Sequence, residues 1–307
     1  MRIVFFGTPD FADASLRALL RAGHEVAGVV TQPDRPQGRS RSALVSPPVK
    51  TTAADANLPV LQPERPVGDL FLAAFRRLEP DLGVVVAYGH ILRPEVLAIP
   101  RRGLVNVHAS LLPRLRGAAP VQWAIANGES ETGVSIMQME AGLDSGPVYL
   151  RVQTPIAPDD TGGSLTRRLA DLGAQALLES LNDLVRGTAE PEPQDDALAT
   201  HAPKVSRETA RVDWNLDAPS IARRIRAFDP APGAWTTLDD ADVKLFGARA
   251  VSGSGDPGTV LDVAERLTIG ATGGAVEIAE VQPAGRRRMA VAEWARGRNV
   301  ERGRRLA

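Results

Sequence analysis

The sequence predicts an α/β fold, doubly wound around a mostly parallel sheet, followed by a small C-terminal β-barrel. Three observations carry that expectation. Short β-branched runs alternate with Leu- and Ala-rich helical segments through residues 1–188, the pattern of a parallel sheet with helices on both faces. The texture then changes in TAEPEPQDDALATHAPKVS, which is rich in Pro, Asp, Glu and Ala with no sustained apolar period, so residues 189–206 read as a linker. Short strand-like runs at regular spacing, separated by Gly, Asp and Ser, then place the barrel in residues 207–307. A chain of 307 residues also exceeds what one ordinary core supports, so two domains are expected.

Taken in order, RIVFFG ends at Gly7 and reads as a buried strand. TPDFADASLRALLRAGH follows, with Leu16, Leu19 and Leu20 at helical spacing and Gly23 as a stop. EVAGVVTQ is a second strand, LGVVVAYG (residues 82–89) a third and GLVNVHA a fourth. In such sheets ligands bind beyond the carboxyl ends of the strands, near a topological switch point. Gly7-Thr8-Pro9, Ala87-Tyr88-Gly89 and Asn106 to Ser110 are therefore expected on one rim. After the helix LADLGAQALLESLNDLVRG and the linker, VDWNLDAPSIARRIRAFDP opens the second domain with a helical segment. GAWTTL, VKLFGARAV, GTVLDV, RLTIGAT and AVEIAEVQP supply its strands.

Composition excludes several functions. The net charge of −1 draws the whole chain neither to nucleic acid nor to a membrane, so polyanion binding must come from local basic clusters. The absence of cysteine removes disulfides, thiolate metal sites and a cysteine nucleophile together. The apolar run in MRIVFFGTPDF is too short for a signal segment or a membrane span, and a cytoplasmic location is the expectation. FFGTPDF also lacks the Gly-x-Gly-x-x-Gly series, which argues against a nicotinamide enzyme.

The chemistry concentrates in GLVNVHASLLPRLRGAAP, residues 103–120. On a strand, residues two apart share a face, so Asn106, His108 and Ser110 point one way and Val105 and Val107 the other. An amide beside an imidazole at a strand end suits stabilisation of an oxyanion, and the imidazole can also move a proton. The plainer alternative is a pair of polar residues satisfying bare backbone at a strand end. Downstream, MQMEAGLDSGPVYL puts Asp144 in a loop flanked by Gly142 and Gly146. An aspartate near His108 could orient it and accept a proton from an incoming amine; by itself it is also an ordinary turn former.

NVHASLLPRLRG followed by GLDSGP resembles the signature of the folate-dependent formyltransferases, which use 10-formyltetrahydrofolate as donor. The resemblance runs from end to end, through FFGTPDFA, TQPDRPQGR, SPPVK, VVVAYGHIL, GAAPVQWAI, ETGVSIMQME, KVSRETARVDW and IRAFDPAPGAW, and is to the methionyl-tRNA formyltransferases. It implies a Rossmann-like catalytic domain, an OB-like C-terminal domain and catalysis without a metal. It also implies that Asn106 and His108 stabilise the oxyanion, and that Asp144 orients His108 and helps remove the proton of the attacking ammonium. Ser110, Leu111, Leu112 and Pro113 would contact the folate donor, beside Tyr88, Gly89, His90 and Ile91 of VAYGHIL. The acceptor implied is initiator methionyl-tRNA, bound by a monomer that needs no membrane.

The prolyl and basic loop TQPDRPQGRSRSALVSPPVK, residues 31–50, fits that acceptor, with Arg39, Arg41 and Lys50 as candidate tRNA contacts. Arg39 matches the arginine prominent in the family, whereas the family's GRGKK run reads GRSRSA here and Leu115 replaces a common aromatic. Lys204 adds a cation in the linker. Eight arginines lie between Arg286 and Arg305 against Glu293 and Glu301, and Arg286, Arg287 and Arg288 lead that cluster. Arg223, Arg224 and Arg226 form another. Such local charge can neutralise phosphates without reading bases. Formyltransferases that act on nucleotide-linked amino sugars share the Asn, His and Asp; the basic clusters argue against that acceptor. A glycinamide ribonucleotide formyltransferase would leave residues 207–307 unexplained, and a non-catalytic RNA-binding module would leave the intact triad without a use.

Overall fold

The computed structural model describes residues 1–37, 43–298 and 300–307, so Arg39 and Arg41 lie outside the described residues. Two compact units are formed, one from Met1–Gly117, Thr132–Thr154 and Thr166–His201, the other from Ala118–Glu131, Pro155–Leu165 and Ala202–Ala307. In chain order the elements are β1 (Ile3–Gly7), α1 (Asp10–Arg21), β2 (Val26–Val30), β3 (Arg35–Gln37), β4 (Ala43–Val45), α2 (Pro48–Asp55), β5 (Val60–Leu61) and α3 (Asp69–Arg77). They continue with β6 (Leu82–Val86), α4 (Pro94–Leu97), β7 (Leu104–His108), α5 (Pro120–Asn127), β8 (Glu131–Gln138), β9 (Val148–Pro155) and α6 (Gly162–Arg186).

The first unit is built on a seven-stranded sheet in the order β5-β2-β1-β6-β7-β8-β9. The pairs β1–β2, β1–β6, β2–β5 and β6–β7 are parallel, and β7–β8 is antiparallel. Ile3 to Phe6 are fully buried, as a central strand covered on both faces requires. Gly7 ends β1 because α1 turns back at once: a Cβ there would sit 2.7 Å from the Cβ of Ala12. In α1, Asp10 and Asp13 occupy the first turn and Arg21 the last, each opposite in sign to the helix end it faces. Leu16 and Leu19 are buried, as their spacing predicts.

The chain leaves β1 toward β2 on one side and returns to β6 on the other. The crevice beyond the carboxyl ends of β1 and β6 is therefore the switch point. It is flanked by Gly7, which pairs with Val86, and by β7, where Asn106 pairs with Val85. The parallel strands named from sequence are all present. β5, β8 and β9 were not named; β8 is the apolar TGVSIMQM run, which the antiparallel pairing turns into a sheet strand. Within the basic 31–50 loop, β3 and β4 pair as a short antiparallel ladder.

In the second unit come α7 (Ala218–Ala227), β10 (Trp235–Leu238), β11 (Ala241–Phe246), β12 (Arg249–Val251), β13 (Val260–Val263), β14 (Leu267–Ala271), β15 (Gly274–Ile278), β16 (Glu280–Pro283), β17 (Met289–Ala290) and α8 (Val291–Arg298). The strands form two four-stranded sheets, β10-β11-β16-β17 and β12-β15-β14-β13, with antiparallel pairing throughout. Leu245, Ile269, Val276, Ile278 and Val281 are fully buried between them and the helices. α5 packs on α7 in this unit; Trp123 meets Phe228 edge-on at 6.4 Å, and the Arg224 guanidinium lies over both rings. Arg224 is thereby held by aromatic faces and by the Thr209 carbonyl at 2.9 Å. Among the described residues no helix is long and apolar enough to cross a membrane.

Candidate active site

β7 lies between β6 and β8, and its pleat sends Asn106 and His108 to one face while Val105 and Val107 are buried. The His108 ring is buried. Its Nε2 donates to the Leu115 carbonyl at 3.0 Å, and its Nδ1 stands 3.7 Å from Asp144 Oδ2. With Nε2–H committed to a carbonyl, Nδ1 is the nitrogen left to exchange a proton with the carboxylate. Asn106 is half-buried, and among the described residues its amide has no hydrogen-bond partner.

Asp144 takes the left-handed conformation, φ +50°, in the loop after β8. Gly146 beside it is needed for close approach, since a Cβ there would lie 2.0 Å from the Gln138 carbonyl oxygen. The Gly117 N–H donates to Asp144 Oδ2 at 2.8 Å. Gln194 donates to the carbonyls of Asp144 and Gly146 at 2.9 and 2.6 Å, and its Oε1 accepts from Arg116 Nε and Nη2. Arg116 is buried and also pairs with Asp196 at 2.8 Å. Gln194 carries no local signal in the sequence, and its part emerges only here.

Ser110 to Pro113 form a loop sewn to its surroundings. Ser110 Oγ donates to the Arg114 carbonyl at 2.6 Å. Ser135 on β8 accepts from the Leu112 N–H at 3.0 Å and donates to the Ser110 carbonyl at 2.7 Å. Arg151 donates to the Leu112 carbonyl, and the Leu115 N–H reaches Thr200 Oγ1 at 2.9 Å. Leu112 packs with Met137 and Val148, while Leu111 and Pro113 are half-buried.

On the neighbouring strand end, Tyr88 is a core residue, edge-on to Phe6 at 5.5 Å. Among the described residues its hydroxyl has no partner, and burial pushes the phenol well above its ordinary range. Thr8 and Gln32 hold its carbonyl at 3.2 and 3.1 Å. Gly89, φ +88°, lies where a Cβ would be 2.4 Å from Gln32 Nε2. The His90 ring is 5.4 Å from that of Tyr88, and Ile91 is 82% exposed. The rim thus divides: Tyr88 and Leu112 support it from below, whereas Gly89, Ile91, Leu111 and Pro113 reach its surface.

Lys50 is held by Asp34 at 2.7 Å, and Asp34 also accepts from Gln62 and Ser46. The hydrogen bond from Gln62, then Lys50, keeps the Asp34 carboxyl below its usual range. Lys204 is exposed. Arg286, Arg287 and Arg288 fill the exposed turn between β16 and β17; Arg287 meets Glu293 at 3.4 Å. Arg288 is bound by Asp229 at 2.9 Å and Glu280 at 2.6 Å, and its guanidinium lies 4.1 Å from the Phe246 ring centre. Arg288 is therefore engaged within its own unit.

The chain matches the formyl transferase family over residues 1–181 and the formyl transferase C-terminal domain over residues 204–299. It is 45% identical over 307 residues to methionyl-tRNA formyltransferase of Geobacter sulfurreducens, covering 100% of this chain and 96% of that one. It is 50% identical over 283 residues to methionyl-tRNA formyltransferase of Stutzerimonas stutzeri, covering 92% and 90%. Among solved structures, HypX from Aquifex aeolicus in complex with tetrahydrofolic acid is similar with a TM-score of 0.68 at 25% identity, over 96% of this chain and 47% of that chain. With both domain families matched in order and close relatives aligned over nearly their full length, the chain belongs to the methionyl-tRNA formyltransferases of the formyl transferase family.

Proposed function

We propose that the chain transfers the formyl group of 10-formyltetrahydrofolate to the amino group of initiator methionyl-tRNA, in the cytoplasm and as a monomer. The observation that carries the site is the Asn106 amide, without a hydrogen-bond partner among the described residues, on the same strand face as a His108 ring 3.7 Å from Asp144. Asp144 takes the extra proton of the methionyl ammonium, and the freed amine attacks the formyl carbon. A C–N bond forms as the carbonyl electron pair moves onto oxygen. The Asn106 amide donates to that oxygen, and the charge gained by His108 stabilises it. Collapse restores the carbonyl and breaks the bond to the folate N10, which leaves with a proton returned from the His108–Asp144 pair. Two protons leave the ammonium, the first to Asp144 and on to His108 before attack, the second to Asp144 from the tetrahedral nitrogen; one returns to N10 and the other is released to water, with no redox change.

Folate binding is supported by the match to a family whose more distant relative HypX was solved with tetrahydrofolic acid. Ser110, Leu111, Leu112 and Pro113 with Tyr88, Gly89, His90 and Ile91 form the donor side of the site. The candidate phosphate-contacting cations are Arg39, Arg41, Lys50, Lys204, Arg286 and Arg287, with residues 207–307 as the docking domain; Arg288, bound by Asp229 and Glu280, supports the turn that carries the last two. The test is formyl transfer to charged initiator tRNA at two salt concentrations, with His108→Ala as control. Activity that falls with salt and vanishes in the variant is expected. Transfer to an amino-sugar nucleotide, with none to tRNA, would overturn the acceptor.

A further inference from the structure

We infer that Gln194 is a positioning residue for the reaction: its amide fixes the backbone of the loop that carries Asp144, and so sets the carboxylate against His108. The inference rests on the roles proposed above for His108 and Asp144. Gln194 lies between the two family matches, 50 residues from Asp144 in sequence. A primary amide has two N–H donors and one carbonyl acceptor with two lone pairs. All four are used here: the donors reach the carbonyls of Asp144 and Gly146, and Oε1 takes Arg116 Nε at 3.0 Å and Nη2 at 2.8 Å. Neither an apolar side chain nor a carboxylate can reproduce that set.

Two features make the arrangement consequential. Asp144 sits at φ +50°, a left-handed conformation that costs a non-glycine residue backbone energy, though least for aspartate and asparagine. The 3.7 Å gap from Oδ2 to His108 Nδ1 is longer than a hydrogen bond, whereas proton transfer needs about 2.6–3.2 Å. A backbone shift of a few tenths of an ångström decides whether the pair can close. The circuit is also self-consistent: Arg116, which fixes the Gln194 carbonyl, is followed by Gly117, whose N–H holds the Asp144 carboxylate at 2.8 Å. Backbone and side chain of Asp144 are thus gripped by partners that grip each other.

The test uses the full chain labelled with ¹⁵N-histidine, which has only four histidines to resolve. In Gln194→Ala the His108 Nδ1 resonance moves toward its position in Asp144→Asn, while His24 and His90 stay in place and report an intact fold. In parallel, kcat falls roughly 10- to 100-fold, as a displaced catalytic group predicts, with both KM values within about threefold. Added acetamide restores part of the rate in Gln194→Ala, where it can refill the gap. It does nothing in Gln194→Glu, which keeps the volume and loses the donors. An unmoved His108 resonance, or an unchanged kcat, overturns the inference. A failure of the unaltered chain to formylate tRNA strikes the proposed acceptor alone, because the resonance comparison uses no tRNA.

Discussion

Replacing Ser135 by alanine tests whether the 110–113 loop is held by the hydroxyl of a neighbouring strand. Ser135 is fully buried on β8, opposite His108 in register, and bridges the Leu112 N–H and the Ser110 carbonyl. Alanine removes both bonds at once and leaves two backbone groups without a partner in a site closed to water. An orphaned buried polar group costs about 1–3 kcal/mol, and with some relaxation the pair amounts to about 2–4 kcal/mol. At 1.4 kcal/mol per tenfold, local opening of the loop rises roughly 30- to 1,000-fold. Local opening is the right observable, because unfolding of two units need not be a single transition. Amide hydrogen exchange of a peptide spanning residues 109–116 reads it, and the KM for the folate donor is expected to rise with it. Exchange within about twofold of the unaltered chain would mean that the bridge does not hold the loop, and the reasoning about the donor side would fall.

With Asn106 as the proposed oxyanion donor, Asn106→Ala is expected to lower kcat by about 10²–10³ with donor and acceptor KM little changed; steady-state kinetics at saturating tRNA decides. Arg288→Met leaves the Asp229 side chain, 9% exposed, without its cation. Because the guanidinium is itself 37% exposed, the loss is discounted to about 1–3 kcal/mol. Chemical denaturation followed by tryptophan fluorescence measures it, while Arg287→Ala is expected to weaken tRNA binding without moving that midpoint. Asp34 is held below its ordinary value in the folded chain, so it contributes stability above that value and loses it as pH falls through the lower, folded one. Asp34→Asn is therefore expected to flatten the fall in stability below about pH 4, read from denaturation midpoints across pH 2–6. An equally steep fall in the variant would assign the acid sensitivity elsewhere.

Much of the first unit was legible because its determinants are local. Five-residue apolar runs bounded by turn residues fit strands buried on both faces, and the Leu16, Leu19 and Leu20 spacing lines one face of a helix. The two-residue spacing of Asn106 and His108 likewise places them on one face as soon as the segment is extended. β5 escaped because it is two residues long, and β8 because an antiparallel strand flanking a parallel core takes its assignment from what lies beside it.

What the sequence determined by itself, then, is the four parallel core strands with the first helix and the shared face of Asn106 and His108, since these are written in periods of two to four residues. What only the tertiary structure decided is which groups hold those side chains in place. Gln194 reaches Asp144 across 50 residues, Thr200 reaches Leu115 across 85, and Ser135 bridges the Leu112 loop across 23. It also decided that Arg288 is bound by Asp229 and Glu280, and that Tyr88 lies in the core. The physical reason is the same in each case. A hydrogen bond depends on a few tenths of an ångström and a few tens of degrees, and that precision exists only after the sheet has brought distant segments together.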